Sequence, residues 1–447
     1  MPAIKEFYLD PRNGQANFEY DDGTTAVASL DQALLSGGGR VSGGPIVLLG
    51  DSITDMCGGL RTSGVSTAFP ANGYWAWCQS ILGPRFATVI NAGISGNWLT
   101  QMDDRFSTDV TPYAPRIVHL FGGTNDALNA TDLTLETIVA NAIGAITSIL
   151  AKTRQLGATL VIGTIGPMAT GAAPTTAKLA ARDRINQFIR KLTASSAGVI
   201  LADYALSLQD PTTQGSPVGQ SDGGPVVIYD NTVHPSAAGA YLIGKTLAAA
   251  LDEVTAPARV FPHGLDISQY TTNPTFAGAV GATPPTGWTV SSLTSPATTW
   301  TYAYQDRTDN IAGKALKLTV AGGDANGQSI LMQASRTVAM AVGDKFRAAV
   351  ELECEFVSAY QSVVGLSLRA MNGSFSEIAR TDVMRDSSFN TGGTTRVVDS
   401  KLKLPEKIVL LTPELTIPAG TASWLCDLNL KGGYNFTLKS FSVFKVD

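Results

Sequence analysis

Between Pro45 and Val254 the chain alternates short, continuous apolar runs with longer segments of helical spacing. PIVLLG, ATVINAG, PRIVHLFGG, ATLVIGTIGP and GVILADY are the short runs, the pattern of strands buried on both faces. GYWAWCQSILG reads as an amphipathic helix. LETIVANAIGAITSILAKTRQLG, TAKLAARDRINQFIRKLTASS and HPSAAGAYLIGKTLAAALDEV read as longer helices, the first ending on Gly157 as a C-cap. Strands alternating with helices predict a parallel sheet covered on both faces. After Pro257 the period changes to two, in KALKLTV, KFRAAVELECEF, VVGLSLRAM and NFTLKSFSVFKV, with turns rich in Gly, Asn, Asp and Pro between them. That predicts an antiparallel sandwich. FYLDPRNGQANFEYDDGTTAVASL has turn signals between short alternating runs and predicts one or two hairpins, and SGGGRVSGG reads as a flexible linker. The expected units are a β segment for attachment or oligomerisation over 1–40, an α/β domain over 41–257 and a β-sandwich over 258–447.

Composition narrows the function classes. The 447 residues suffice for two or three domains, and with 44% hydrophobic and 15% charged residues a sizeable core is expected. The net charge of −5, without a basic run, argues against a nucleic-acid partner. No segment reads as a membrane span, and the charged N-terminal stretch does not read as a secretory signal. The four cysteines, Cys57, Cys78, Cys354 and Cys426, have no CxxC spacing. They fit either two bridges, Cys57–Cys78 and Cys354–Cys426, or free thiols packed as small hydrophobes. No metal site is expected.

Polar signals gather at the ends of the predicted strands. LLGDSITD puts Ser52 directly after the first strand, NAGISGNW puts Gly96 after the second, and FGGTNDA puts Asn125 after the third. YDNTVHPSAAG puts His234 before the last helix. Each alone also suits a helix cap or a tight turn. Together they fall on the carboxyl edge of one sheet, where open α/β sheets bind ligands. A serine needs a base to become a nucleophile, and His234 is the histidine placed for it. His119 lies inside a predicted strand and reads as core, and His263 lies in the linker beyond the sheet domain.

GDS, a glycine after the second strand, GxND, and Asp and His before the last helix together resemble the SGNH (GDSL-type) hydrolases. The likeness covers roughly residues 45–255. It implies a flavodoxin-like three-layer α/β/α fold with strand order 2-1-3-4-5. It also implies Ser52 as nucleophile, His234 as general base, and an oxyanion hole of the Ser52 N–H, the Gly96 N–H and the Asn125 side chain. No cofactor is implied. The family places its aspartate three residues before the histidine, where this chain has Asn231, with Asp230 one residue further back. Either Asp230 reaches the imidazole through a one-residue bulge, or a Ser–His dyad acts alone.

The C-terminal region, from NPTFAGAVGATPPTGWTV onward, resembles carbohydrate-binding jelly rolls in its patterning. Trp288 and Trp300 either stack on sugars or pack in the sandwich. The insertion CGGLRTSGVSTAFPANGYW is expected at the substrate rim, with Asp51, Arg61, Trp75 and Trp98 as substrate-binding candidates. An esterase joined to a sugar-binding module points to deacetylation of an acetylated polysaccharide such as capsule or O-antigen. A bacteriophage tail protein, as a homotrimer in the virion, would suit the leading β segment. The competing readings are a general carboxylesterase or lipase, and a non-catalytic glycan-binding virion protein.

Overall fold

The computed structural model describes residues 4–10, 15–20, 25–29, 44–61, 64–65, 68–83, 85–86, 88–168, 174–210, 233–256, 270–271, 273–277, 287–292, 300–308, 311–320, 328–335, 340–356, 364–384, 406–431 and 434–446. The linker at 36–43, Asp230, Asn231 and His263 lie outside the described residues. Strands β1 (Ile4–Asp10), β2 (Gln15–Tyr20) and β3 (Thr25–Ser29) form an antiparallel meander.

The next unit is built on β4 (Ile46–Gly50), β8 (Val89–Gly93), β9 (Ile117–Phe121), β10 (Thr159–Gly163) and β11 (Val199–Ala202), which are parallel and ordered β8-β4-β9-β10-β11. This is the expected 2-1-3-4-5 order. Two short strands, β5 (Leu60–Arg61) and β6 (Gly64–Val65), extend the β8 edge. Alternate residues of β4 serve two cores: Ile46 and Leu48 face one, Val47 and Leu49 the other. The helices are α1 (Ser52–Asp55), α2 (Tyr74–Leu82), α3 (Leu99–Asp104), α4 (Phe106–Asp109), α5 (Thr124–Leu128), α6 (Leu135–Gln155), α7 (Thr176–Ser195), α8 (Tyr204–Leu208) and α9 (Ala237–Val254). Helices α2 and α9 pack together on one face of the sheet, and α6 and α7 cover the other.

Helix α6 corrects one expectation, since by length and composition alone it suffices to cross a membrane. In the fold it is a layer helix. Ile138, Val139, Ala142, Ile146 and Ile149 are buried towards the sheet, whereas Glu136, Ala151 and Arg154 are exposed. Its end follows the sequence, with Gly157 at φ +68° just past the last turn.

Two six-stranded sheets make the C-terminal β domain. One runs β12 (Thr289–Ser292), β15 (Gln328–Ser335), β21 (Ser423–Lys431), β17 (Val364–Met371), β18 (Glu377–Val383), β7 (Ala68–Phe69). The other holds β13 (Trp300–Asp306), β14 (Lys314–Val320), β22 (Tyr434–Val446), β16 (Lys345–Phe356) and β19 (Lys407–Leu411), with β20 (Leu415–Thr416) on β16. Leu366, Leu368 and Leu428 of the first sheet share a core with Phe346, Val350 and Phe436 of the second. Pairing of β16 with β22 slips by one residue where Glu351 opposes Ser440 and Leu352 opposes Leu438. The extra residue changes the inward set of β22 from Phe436 and Leu438 to Phe441 and Val443. Trp288 is buried against Phe441 and Phe276, with centroids 4.6 and 5.6 Å away, so it packs in the sandwich. All four cysteines are buried and none is in a disulfide.

The two large units are knitted together. Strand β7 comes from the insertion between α1 and α2, yet it pairs in parallel with β18, Ala68 opposite Asp382 and Phe69 opposite Val383. The Met384 N–H donates to the Phe69 carbonyl at 2.8 Å, and Gln79 Nε2 of α2 donates to the Leu411 carbonyl of β19 at 2.9 Å. This explains a second difference from expectation. Helix α2 is buried almost all round, not amphipathic, because the sandwich covers the face that would otherwise meet water.

Candidate active site

The site is assembled by sharp turns at the carboxyl ends of β4, β8 and β9. A Cβ on Gly50 would stand 2.1 Å from Thr54 Oγ1, and one on Gly93 would stand 2.2 Å from the Asp55 nitrogen. Only glycines let α1 fold back directly over the sheet edge. Asp51 caps α1, its carboxylate accepting the Ile53 N–H at 3.0 Å, and Ser52 follows as the first helical residue. On the far side, Ser236 caps α9 by accepting the Gly239 N–H. That cap fixes the entry of the segment carrying His234. The two come together: His234 Nε2 lies 2.8 Å from Ser52 Oγ.

The turn after β8 holds Gly96 at φ +82°, a left-handed conformation that favours glycine. It is closed by the Asn97 N–H on the Ile94 carbonyl at 3.2 Å, and Ser95 Oγ donates to Asp55 at 2.9 Å. Asn125 is the second residue of α5 and donates its side-chain amide to the Asn97 carbonyl at 3.0 Å. Its neighbour Asp126 accepts the Leu99 N–H at 3.1 Å. The Ser52 and Gly96 amides make no hydrogen bond among the described residues. Ser52, Gly96, Asn125 and His234 thus belong to one constellation, in which an unprotonated Nε2 can take the serine proton and three donors lie on linked turns.

Two buried carboxyls underlie it. Burial pushes Asp51 up to about 7, helped by the nearby Asp126 charge and opposed by the Ile53 N–H. Burial likewise pushes Asp126 up to about 6 against its bond from Leu99. Asp51 Oδ2 has no hydrogen-bond partner among the described residues. With 1% of its surface exposed, Asp51 is a cap and not a substrate contact, which corrects that expectation. Trp75 is corrected likewise: it is 1% exposed and packs on Phe86 at 5.8 Å, inside the core that α2 shares with the sandwich. Trp98 is half-buried, two residues from Gly96, and its N–H is held by Gln101 at 2.8 Å. The side chain of Arg61 lies outside the described residues, as do Asp230 and Asn231.

His119 has the opposite setting. It is fully buried in β9, with Nδ1 3.3 Å from the Tyr74 hydroxyl and Nε2 2.8 Å from the Tyr204 hydroxyl. Burial pushes it down to about 3. Sequence reasoning passed over Arg105, Asn97 and Asp126, which support the turns. Asp126 was legible as the D of GTND, whereas nothing local marks Arg105. Among the described residues no group of three His, Cys, Asp or Glu side chains converges as metal ligands would.

The GDSL-like lipase/acylhydrolase family matches residues 48–242. Those residues are a GDSL-type (SGNH) hydrolase domain. No curated protein matches the sequence. Among solved structures, an acetylxylan esterase from Geobacillus stearothermophilus is 20% identical, with 47% of this chain and 94% of that chain covered and a TM-score of 0.38. The lipase/acylhydrolase from Enterococcus faecalis is 20% identical, with 48% and 100% covered and a TM-score of 0.36. The enzymatically active domain of tailspike protein 4 of bacteriophage CBA120 is 10% identical, with 40% and 22% covered and a TM-score of 0.28.

Proposed function

We infer that the GDSL-type domain is a serine esterase and that its substrate is an O-acetylated polysaccharide. The observation that carries the esterase reading is the 2.8 Å contact between Ser52 Oγ and His234 Nε2 at the strand ends. Ser52 Oγ attacks the ester carbonyl while His234 takes its proton. The Ser52 and Gly96 amides and the Asn125 side chain hold the tetrahedral oxyanion. His234 then protonates the departing alkoxide, freeing the sugar hydroxyl. In the second half, His234 deprotonates a water that attacks the acyl-enzyme, and the acid leaves as Ser52 recovers its proton. Asp230 is proposed to orient the imidazole.

One observation supports a polymeric substrate. The sandwich is hydrogen-bonded to the insertion that follows the nucleophile helix, which suits a β domain that presents a polymer to the site.

The test is acetate release from a panel of acetylated polysaccharides, beside p-nitrophenyl acetate and a long-chain ester, with Ser52→Ala as the blank. Acetate released from a glycan and lost in the variant is the expected result. Activity confined to synthetic esters would remove the polysaccharide, and activity surviving in Ser52→Ala would remove the nucleophile.

A further inference from the structure

Arg105 joins α3 to α4, ending one helix and capping the next. That corner is itself anchored. Lys152 of α6 donates to the Asp103 carbonyl and carboxylate, both at 2.8 Å, and Phe106 is buried. From this base the guanidinium reaches three acceptors. Nη1 meets Asp109 at 2.6 Å, Nε donates to Asn97 Oδ1 at 2.8 Å, and Nη2 donates to the Gly50 carbonyl at 2.9 Å. Only the first is an ion pair, between side chains 13% and 16% exposed. The other two acceptors are neutral and belong to different strand ends.

Those acceptors are the supports of the oxyanion donors. Gly50 is the last residue of β4, two before Ser52, and its carbonyl also accepts the Ile94 N–H at 3.1 Å. The first and second strand ends therefore meet on one oxygen that Arg105 also holds. Asn97 follows Gly96, and its carbonyl accepts the Asn125 amide. A planar, fixed fork of N–H donors suits such a three-way junction, and an ammonium does not.

We propose that Arg105 is a positioning residue: by tying Gly50 to Asn97, and through Asn97 to Asn125, it sets the mutual geometry of the three oxyanion donors. This rests on the esterase reading above. Arg105 touches no reacting atom in that scheme. Its effect is to keep the Ser52 and Gly96 amides and the Asn125 amide converging on one point, and such convergence gives an oxyanion hole its effect on kcat.

The experiment uses the full chain, with p-nitrophenyl acetate as probe. Active sites are counted by burst titration with a serine-directed phosphonate. Arg105→Met is expected to lower kcat per titrated site by about 10- to 100-fold with KM within about threefold, the pattern of an interaction made in the transition state. Arg105→Lys, which keeps a charge for Asp109, is expected to lose about 3- to 10-fold and serves if the Met variant folds poorly. Guanidinium ion added to Arg105→Ala is expected to restore part of kcat. Arg184→Met, which removes an exposed pair with Glu136, is the control for surface charge. Full kcat per titrated site in Arg105→Met, or a loss wholly explained by fewer titrated sites, overturns the proposal while leaving the esterase reading standing. Amide hydrogen exchange decides the point apart from turnover. Faster exchange in 94–99 and 50–53 of Arg105→Met is expected, and unchanged exchange there overturns the clamp even if the wild type hydrolyses no ester.

Discussion

The interior of the parallel sheet and its carboxyl edge each hold a histidine, and the two have little in common. His119 sits mid-strand, walled by Tyr74, Phe121 and Tyr204, and its burial holds it neutral down to about pH 3. It lies in a buried polar chain from Thr54 through the Tyr74 hydroxyl, at 3.0 Å, to the Tyr204 hydroxyl. His234 sits past the strand ends, partly exposed, against a serine hydroxyl. The difference lies in what each ring can exchange. The first exchanges hydrogen bonds with fixed hydroxyls and holds the sheet to α1, α2 and α8. The second faces a partly exposed hydroxyl at the strand ends. Residue type is shared, and position relative to the strand end decides the chemistry.

The largest expected effect that sharpens this contrast is on turnover. His234→Ala should lower kcat by at least about 10³-fold, since a serine without its base is a poor nucleophile. It should leave the melting temperature close to that of the wild type. His119→Phe should do the reverse. Its kcat per folded molecule should stay within about threefold, while stability falls by about 1–3 kcal/mol as the Tyr204 hydroxyl loses its partner. Steady-state kinetics and thermal unfolding on both variants check the pair. A His119→Phe enzyme that is stable but inactive would end the division of roles.

A smaller effect is expected at the donor side of the same edge. Asn125→Ala removes one proposed oxyanion donor and also the bond to the Asn97 carbonyl. A fall in kcat of about 10²- to 10³-fold with little change in KM is expected. If KM rises and kcat holds, Asn125 binds the substrate's ground state and the oxyanion hole lies elsewhere.

Much of this edge was readable before any coordinates. The apolar runs marked the parallel strands, the turns just past the first three marked Ser52, Gly96 and Asn125, and the start of the last helix marked His234. That works because a buried parallel strand must be apolar until it ends, so the first polar residue beyond it locates the rim. What failed was set by distant contacts. The sequence puts Trp75 at the rim because it ends the insertion CGGLRTSGVSTAFPANGYW, and it reads the helix that starts there as half-exposed. In fact GYWAWCQSIL is apolar all round, the pattern of a helix buried on every side, and the covering partner is a sandwich hundreds of residues later in the chain. Strand β7 was illegible for the same reason, as Ala68–Phe69 pairs with a strand more than three hundred residues away. Arg105 has no local signature, since its role exists only once three chain segments have met.

The smallest expected effect again sets the interior against the edge, through the pH dependence of stability. His119 is a base whose folded value, about 3, lies below its ordinary 6.5. Between those values the unfolded chain binds more protons, so stability falls as pH drops through that window. Asp51 and Asp126 are acids whose folded values, about 7 and about 6, lie above the ordinary 3.8. Between about pH 4 and 7 the folded chain binds more protons at these groups, so their contribution to stability falls as pH rises. Asp51→Asn keeps an oxygen for the Ile53 N–H and cannot ionise. Relative to that variant, the wild type should lose about 1–3 kcal/mol between pH 5 and pH 8, a few degrees in melting temperature. Parallel melting curves for the two proteins across that range would mean that Asp51 ionises normally in the fold, and that its unpartnered oxygen finds water.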